Sequence, residues 1–451
     1  MPKNHADIVI CGAGIAGVSA AYHLAKSGVN NILLVDERPP LSLTSDQSSE
    51  CYRNWWPDPA LLALMNHSIH LMEELADATG NAFHMNRRGY IFLTGDENRI
   101  PEMTKHATGI SELGAGPLRI HRSGGADYQP ATPKGFRDQP EGADLILDPA
   151  LIREHYPYLT EDVVAALHIR RAGWLSAQQL GMTLLAGARK LGVRFESARV
   201  VGVDVDNKKV CSVQLADGRR IFTKIFVNAT GPMFKEVGEM MGLDLPVFTE
   251  LHYKVAINDP LGAVGRDAPL LIWDDAQELA WTSDEREFLM DEGLSWMLDS
   301  FPAGVHTRPE GSGASQAILM LWEYQTKKSS PTWPLLLDEK FIEITLRGLS
   351  RMIPALNEYF ARMPRPILDG GYYTKTPENR PLIGETHVEG AYLIGALSGF
   401  GIMSACGAGE LLAGQITGQS PPAYAREFLL SRYDRPGYLD DILARYDTGQ
   451  L

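Results

Sequence analysis

An α/β fold joined to a second, sheet-based α+β domain is what this sequence predicts, and three observations carry the prediction. A β-branched run at 7–11 ends in Gly12-Ala13-Gly14-Ile15-Ala16-Gly17, apolar residues at helical spacing follow over 18–27, and the next apolar run closes on Asp36, 24 residues after the first glycine. The middle of the chain then stops alternating strand and helix and fills with long strands and aromatics. Near the far end, glycines cluster again ahead of a helix. At ~150 residues per domain, 451 residues hold three domains or two larger ones that interleave.

The first unit has the most specific chemistry. Glycines at this spacing between a strand and a helix serve three ends: a tight turn, close approach of backbone to a pyrophosphate, and close packing of helix on strand. The helix N-terminus presents unpaired N–H groups to phosphate, and Asp36 is placed to accept hydrogen bonds from a ribose. A dinucleotide site is expected here.

Further along, 57–79 reads as a helix whose apolar face carries Leu61, Leu64, Met65, Ile69, Leu71, Met72 and Leu75, and 89–94 reads as a strand. The stretch 107–143 is rich in Gly and Pro without periodicity and is expected to be a surface insertion. A helix at 175–191 and strands at 193–196, 200–206, 210–215 and 225–228 follow. Strands at 252–257 and 317–324, with many aromatics between 246 and 364, predict the second domain. A strand at 391–395 and a helix at 406–417 close the pattern. The expected partition is 1–88, 146–245 and 370–451 for the dinucleotide domain and 89–145 with 246–369 for the other. The charge-free stretch between Glu389 and Glu410 is diluted by six glycines. It predicts a buried strand, turn and helix rather than a membrane span.

Lys and Arg number 42 against 56 Asp and Glu, a net charge of −14, with no basic block. That argues against nucleic acid or an anionic membrane as partner. Cys11, Cys51, Cys211 and Cys406 lie far apart with no C-x-x-C pair, and no secretory signal peptide is evident. A reduced, cytoplasmic protein without a metal cluster is expected.

Several separated segments together resemble the D-amino-acid-oxidase-like flavoprotein superfamily, in its sarcosine oxidase and dimethylglycine dehydrogenase branch: 8–38, 88–93 (RGYIFL), 172–200, 227–232 (VNATGP) and 370–418. The resemblance implies FAD along the Rossmann-like half, with the isoalloxazine at the boundary of a substrate domain. Carried over residue by residue, Gly12, Gly14, Ile15, Ala16 and Gly17 would hold the pyrophosphate, with Asp36, Glu37 and Arg38 towards the adenosine ribose. Val200 would meet adenine through its backbone, and Thr230 and Gly231 would lie near the dinucleotide. Ser398, Gly399, Phe400, Gly401, Ile402 and Met403 would wrap the flavin ring with backbone donors. Ser48 and Ser49 open the flavin-facing loop, where the family's arginine, here Arg53, grips a substrate carboxylate; a guanidinium suits that bidentate task. The alternative is a structural pair of Arg53 with Glu50 or Asp58. Trp55 and Trp56 would line a pocket or belong to the core.

Three departures shape the expected function. The family's covalent cysteine segment reads Gly371-Tyr372-Tyr373-Thr374 here, so FAD should be non-covalent. The second carboxylate-gripping lysine is replaced by Met403, and the oxygen-activating lysine falls near Met320. A less cationic, more apolar site follows from the resemblance, and weak O2 reactivity would point to another electron acceptor.

The expected reaction is FAD-dependent oxidation of the C–N bond of an amino acid or a secondary or tertiary amine, giving an imine that hydrolyses. Arg53, His306, Tyr324, Tyr373 and Met403 are the candidate catalytic residues, with Lys254, Arg308 and Trp322 nearby in the second domain. Open alternatives are a 2-hydroxy acid or glycerol-phosphate oxidoreductase, a flavin-carrying subunit of a larger amine dehydrogenase, and a flavin-free NAD-binding protein. An oligomer is compatible with each.

Overall fold

The computed structural model describes residues 4–122, 128–311 and 313–445. Its first sheet has six strands in the order Leu382–Glu385, Ala391–Gly395, Ile225–Asn228, Ile8–Cys11, Ile32–Asp36, Arg194–Ser197. All neighbours are parallel except the antiparallel edge pair 382–385 with 391–395. Beginning, middle and end of the chain thus build one sheet, as the two glycine-rich ends predict.

The central strand Ile8–Cys11 is an unbroken apolar run buried on both faces, as a parallel strand requires. Ile8 pairs with Ile225 on one side and Ile32 on the other. On one face lie the helices Ile15–Lys26, Ala177–Lys190 and Gly401–Ile416, with Pro59–Thr79 packed behind the last. The other face is covered by the antiparallel sheet Val200–Asp206, Lys209–Leu215, Arg220–Phe222.

The second sheet has nine strands in the order Ile367–Lys375, Phe248–Asn258, Ala317–Leu321, Val305–Pro309, Leu270–Trp273, Tyr90–Thr94, Ala165–Ile169, Ala143–Ile146, Leu118–His121. The amphipathic helix Lys340–Met352 sets Phe341, Ile344, Leu349 and Met352 into the core behind it. The α/β class with a sheet-based second part is therefore observed.

Four expectations are corrected. The stretch 107–143 is not a surface insertion throughout: it holds the end of helix Ile100–Ile110 and strand Leu118–His121, and Ala143 begins another strand of the large sheet. Ala107, Ala115 and Phe136 are buried in the core under them. Periodicity is weak there because the segment supplies a short edge; its residues 123–127 lie outside the described set. Strand Ala165–Ile169, expected in the dinucleotide part, pairs with Tyr90–Thr94 in the large sheet. The last long helix begins at Gly401, not 406. The expected strand 317–324 ends at Leu321.

Candidate active site

The six-stranded sheet reverses its winding at Ile8–Cys11, and a crevice opens beyond the carboxyl ends of its strands, where open α/β sheets bind ligands. A long cleft follows that edge, lined by Gly12, Gly14, Ile15, Ala16, Asp36, Glu37, Arg38, Val200, Thr230, Gly231, Ser398 and Gly401 among others.

The turn at its floor is sterically specified. Gly12 has φ +106°, and a Cβ there would sit 2.4 Å from the Ala229 carbonyl oxygen; one on Gly17 would sit 1.8 Å from the Gly12 oxygen. Gly17 does not line the cleft; it lets the helix close on the strand, as the spacing implies. Asp36 accepts hydrogen bonds from the backbone N–H groups of Ala13 (2.8 Å) and Arg38 (2.9 Å). Its carboxylate therefore braces the turn and the following loop. Arg38 pairs with Glu37 at 3.0 Å and lies 5.4 Å from the Trp333 ring centre. The first turn of helix Ile15–Lys26 carries no acid, which leaves its positive end to an anionic ligand. A glycine cradle, an acid-free helix start and a long cleft fit a dinucleotide.

A second, small cavity adjoins, lined by Ser49, Cys51, Arg53, Tyr90, His252, Leu270, His306, Leu321, Glu323, Tyr373, Gly399 and Met403 among others. The two spaces share three segments residue by residue: Tyr372 faces the cleft and Tyr373 the cavity, Ser398 and Gly399 divide in the same way, and so do Gly401 and Met403. One elongated ligand can therefore run along the cleft and end at the cavity.

Arg53 is buried, with its guanidinium 4.6 Å from the ring centre of Trp56 and 6.0 Å from that of Tyr90. The acids nearest in sequence are engaged elsewhere: Asp58 caps helix Pro59–Thr79 and pairs with Arg380 at 2.6 Å, and Glu50 accepts the Ala177 N–H and faces Arg308. Trp55 and Trp56 both belong to the core.

His306 lies on the cavity side of strand Val305–Pro309, and its Nδ1 is 2.8 Å from the Gly304 carbonyl. A carbonyl only accepts, so Nδ1 carries the proton and Nε2 keeps its lone pair. Burial pushes the pKa of His306 below the usual imidazole value. His252 stands opposite in character. Burial opposes its charge, but hydrogen bonds to Glu250 and Glu323 outweigh it and raise its pKa. Its two ring nitrogens lie 3.4 Å from Glu250 and 3.4 Å from Glu323. Glu250 is brought down to about 2, first by His252 and, against burial, by Lys375 at 3.1 Å. Tyr373 stacks on the His252 ring at 3.9 Å, and burial pushes its phenol pKa up.

Several predicted residues are not brought to the site. Tyr324 does not line the cavity; it stacks on Phe341 and packs against Phe301 and Trp322, because the chain has left the strand at Leu321. Met320 faces the core behind the sheet with Ile318, and Leu321 takes the cavity face. The Phe400 and Ile402 side chains are core residues, Phe400 edge-on to Trp56, which leaves only their backbone for the expected contact with the ring. Ser48 contributes its hydroxyl to the Glu50 N–H rather than to either space. Other cations stand near the cavity although Met403 lines it. Among the described residues His252 joins Arg53 at the wall, with Lys254 and Arg308 behind Ser48 and Ser49. Carboxylates offset them. His252 and Glu323 were not singled out from sequence, although polar Glu250, His252 and Lys254 alternate with apolar Leu251, Tyr253 and Val255, the period of a half-buried strand.

Fold and clefts together define a dinucleotide-binding α/β protein with a small, charged second cavity where the dinucleotide ends. The family described as FAD dependent oxidoreductase (DAO) matches residues 7–415, and the chain belongs to it. It is 26% identical over 442 residues to dimethylglycine dehydrogenase, mitochondrial, of Rattus norvegicus, covering 96% of this chain and 45% of that protein. The chain thus spans about half the length of the dimethylglycine dehydrogenases it matches. It is 23% identical to a D-amino acid dehydrogenase of Methylobacterium sp. (strain 4-46), covering 95% of this chain and 99% of that one. The crystal structure of L-proline dehydrogenase from P. horikoshii shares the fold, with a TM-score of 0.72 and 21% identity over 96% of this chain and 98% of that one. Among the described residues no helix is long and apolar enough to cross a membrane, and no group of His, Cys, Asp and Glu is arranged to hold a metal.

Proposed function

We propose that this FAD-dependent oxidoreductase oxidises the C–N bond of a small amino acid or N-substituted amine, with FAD held non-covalently. The observation that carries the reading is the second cavity: a buried guanidinium and a neutral imidazole share a small space walled by both charged and apolar side chains at the end of the dinucleotide cleft. FAD, when bound, supplies the two-electron acceptor for the C–H bond beside the nitrogen. Arg53 binds the substrate carboxylate and fixes its orientation. His306 Nε2 takes the proton that the substrate ammonium must lose before its carbon can be oxidised. Tyr90, Leu270, Leu321 and Met403 keep water from the reacting carbon, and the product imine hydrolyses on release. Tyr373, fixed by His252, forms one wall. The substrate is a small molecule, and the acceptor is O2 or another oxidant that reaches the cavity. Free cysteines, three of them buried, agree with a reducing, cytoplasmic setting.

The test is anaerobic reduction of the holoprotein by a panel of secondary amines, amino acids and 2-hydroxy acids, followed by the 450 nm band. Amines or amino acids should bleach it; bleaching by a hydroxy acid alone refutes the C–N assignment. Arg53→Lys should lower kcat/KM for carboxylated amines by about 100-fold, in line with loss of a bidentate charged contact. Acid precipitation should leave the yellow colour in solution, since no cysteine stands at Gly371-Tyr372-Tyr373-Thr374.

A further inference from the structure

The two groups that meet substrate in the proposed function come from different sheets: Arg53 from the short strand Cys51–Arg53 beside the dinucleotide domain, His306 from the nine-stranded sheet. Something must fix one against the other. Arg308 lies two residues from His306, on the same face of the strand, with its side chain wholly buried. Its Nε and Nη2 donate to the Ser49 carbonyl at 3.2 and 2.7 Å, and Nη2 also lies 3.4 Å from Glu50 and 2.7 Å from Glu310. Trp174 covers the guanidinium at 5.1 Å. Lys254, from the adjacent region of the same sheet, donates to the Ser48 carbonyl at 3.4 Å.

The segment so held is strained. Glu50 has φ +65°, a left-handed conformation that a residue with a side chain adopts at a cost. Its carboxylate is fixed from both sides, by Arg308 and by the Ala177 N–H at 2.8 Å, and its carbonyl accepts from Leu175 at 3.1 Å. Directly after it the chain enters the strand that pairs Arg53 with Ala172. The turn at Glu50 therefore sets where the Arg53 guanidinium arrives.

We propose that Arg308 is a positioning residue: by clamping the Ser49 carbonyl and the left-handed Glu50 it sets the placement of Arg53 relative to His306. This rests on the carboxylate-binding role given to Arg53 above. A forked guanidinium can hold the carbonyl through two N–H groups and the carboxylates at once, whereas an ammonium offers a point charge without the fork.

The experiment uses the FAD-loaded full chain and acetate as a carboxylate probe, titrated through the flavin absorbance, in wild type, Arg53→Lys, Arg308→Lys and the double variant. Wild type should bind acetate and Arg53→Lys should bind it measurably but about 100-fold more weakly; if wild type shows no response, the carboxylate role of Arg53 fails, and this inference with it. Given a wild-type response, Arg308→Lys should bind acetate at least about tenfold more weakly with its FAD content kept. In the Arg53→Lys background the Arg308 change should add nothing further, because the clamp no longer has a guanidinium to place. Wild-type acetate affinity in folded Arg308→Lys, or full additivity with Arg53→Lys, overturns the proposal. If Arg308→Lys does not fold, Glu50→Gln, which keeps the acceptor for Ala177 and drops the charge facing Arg308, takes its place. It should weaken acetate in the same direction, and wild-type affinity there overturns the proposal equally.

Discussion

Single atoms decide most of what the cofactor cleft can tolerate. Gly12 is the sharpest case, since its φ is left-handed and a Cβ would meet the Ala229 carbonyl at 2.4 Å. Backbone stands on the other side, so no flexible side chain can move aside. Gly12→Ala is expected to purify colourless or to fail to accumulate; a wild-type ratio of absorbance at 450 nm to that at 280 nm would show that the turn is not the cofactor cradle. The glycines near the far end sort differently. Gly395, Gly399 and Gly401 line the two spaces, and Gly395 packs as well, since a Cβ there would lie 2.3 Å from the Phe234 ring; Gly409 serves packing, its Cβ position 2.4 Å from the Ser19 hydroxyl. The sequence shows the cluster; it does not show which members face a ligand and which let helices and strands close on each other, because both tasks select the smallest residue. Asp36 follows the same pattern: its place at the end of a strand is plain in the sequence, but its grip on the Ala13 and Arg38 N–H groups requires the turn to be folded.

At the scale of elements, runs and periods are legible and register is not. Strands 200–206, 225–228 and 391–395 are found where the apolar runs put them. Strand Ala317–Leu321 is found too, yet placing the functional position at Met320 rather than Leu321 moves it to the opposite face, since side chains alternate at every residue. The difference is measurable. Met320→Lys places an ammonium in the core behind the nine-stranded sheet and should cost several kcal/mol, enough to lose soluble protein. Leu321→Lys places the same charge at the cavity wall and should fold with FAD bound. Equal behaviour of the two variants would mean the register is wrong. The short strand Ala143–Ile146 and the edge strand Leu118–His121 beside it escape reading for a related reason. Four residues between Gly- and Pro-rich stretches give too little period to distinguish a strand from a loop.

For the whole molecule, helices from the start and end of the chain meet at a buried histidine. His23 on helix Ile15–Lys26 is 3% exposed, and its Nδ1 lies 3.9 Å from Glu410 on helix Gly401–Ile416; His67 on helix Pro59–Thr79 holds the same carboxylate at 2.6 Å. Burial, opposed by Glu410 and assisted by Lys26 and His67, pushes the pKa of His23 down to about 4. Its stabilising effect is full above about pH 6.5, where an imidazole in the unfolded chain is neutral too. As the pH falls the unfolded chain gains a proton that the folded chain refuses, so stability declines until about pH 4. The decline should be on the order of 3 kcal/mol. Urea midpoints between pH 7 and pH 4.5 should fall more steeply for wild type than for His23→Gln, and parallel slopes would remove His23 from the account.

The six-stranded sheet also orders events in time. Its strands come from 8–11, 32–36, 194–197, 225–228, 382–385 and 391–395, and helix Gly401–Ile416 packs against Ile15–Lys26. A ribosome must therefore reach residue 401 before the Gly12 turn gains the Ser398–Gly401 segment across from it. Until 225–228 and 401–416 emerge, part of the apolar surface of the first helix and strand waits uncovered, and contacts this distant in sequence form slowly. Nascent chains released before about residue 400 should hold no flavin and should engage chaperones, and the cofactor can act as the last piece that closes the fold.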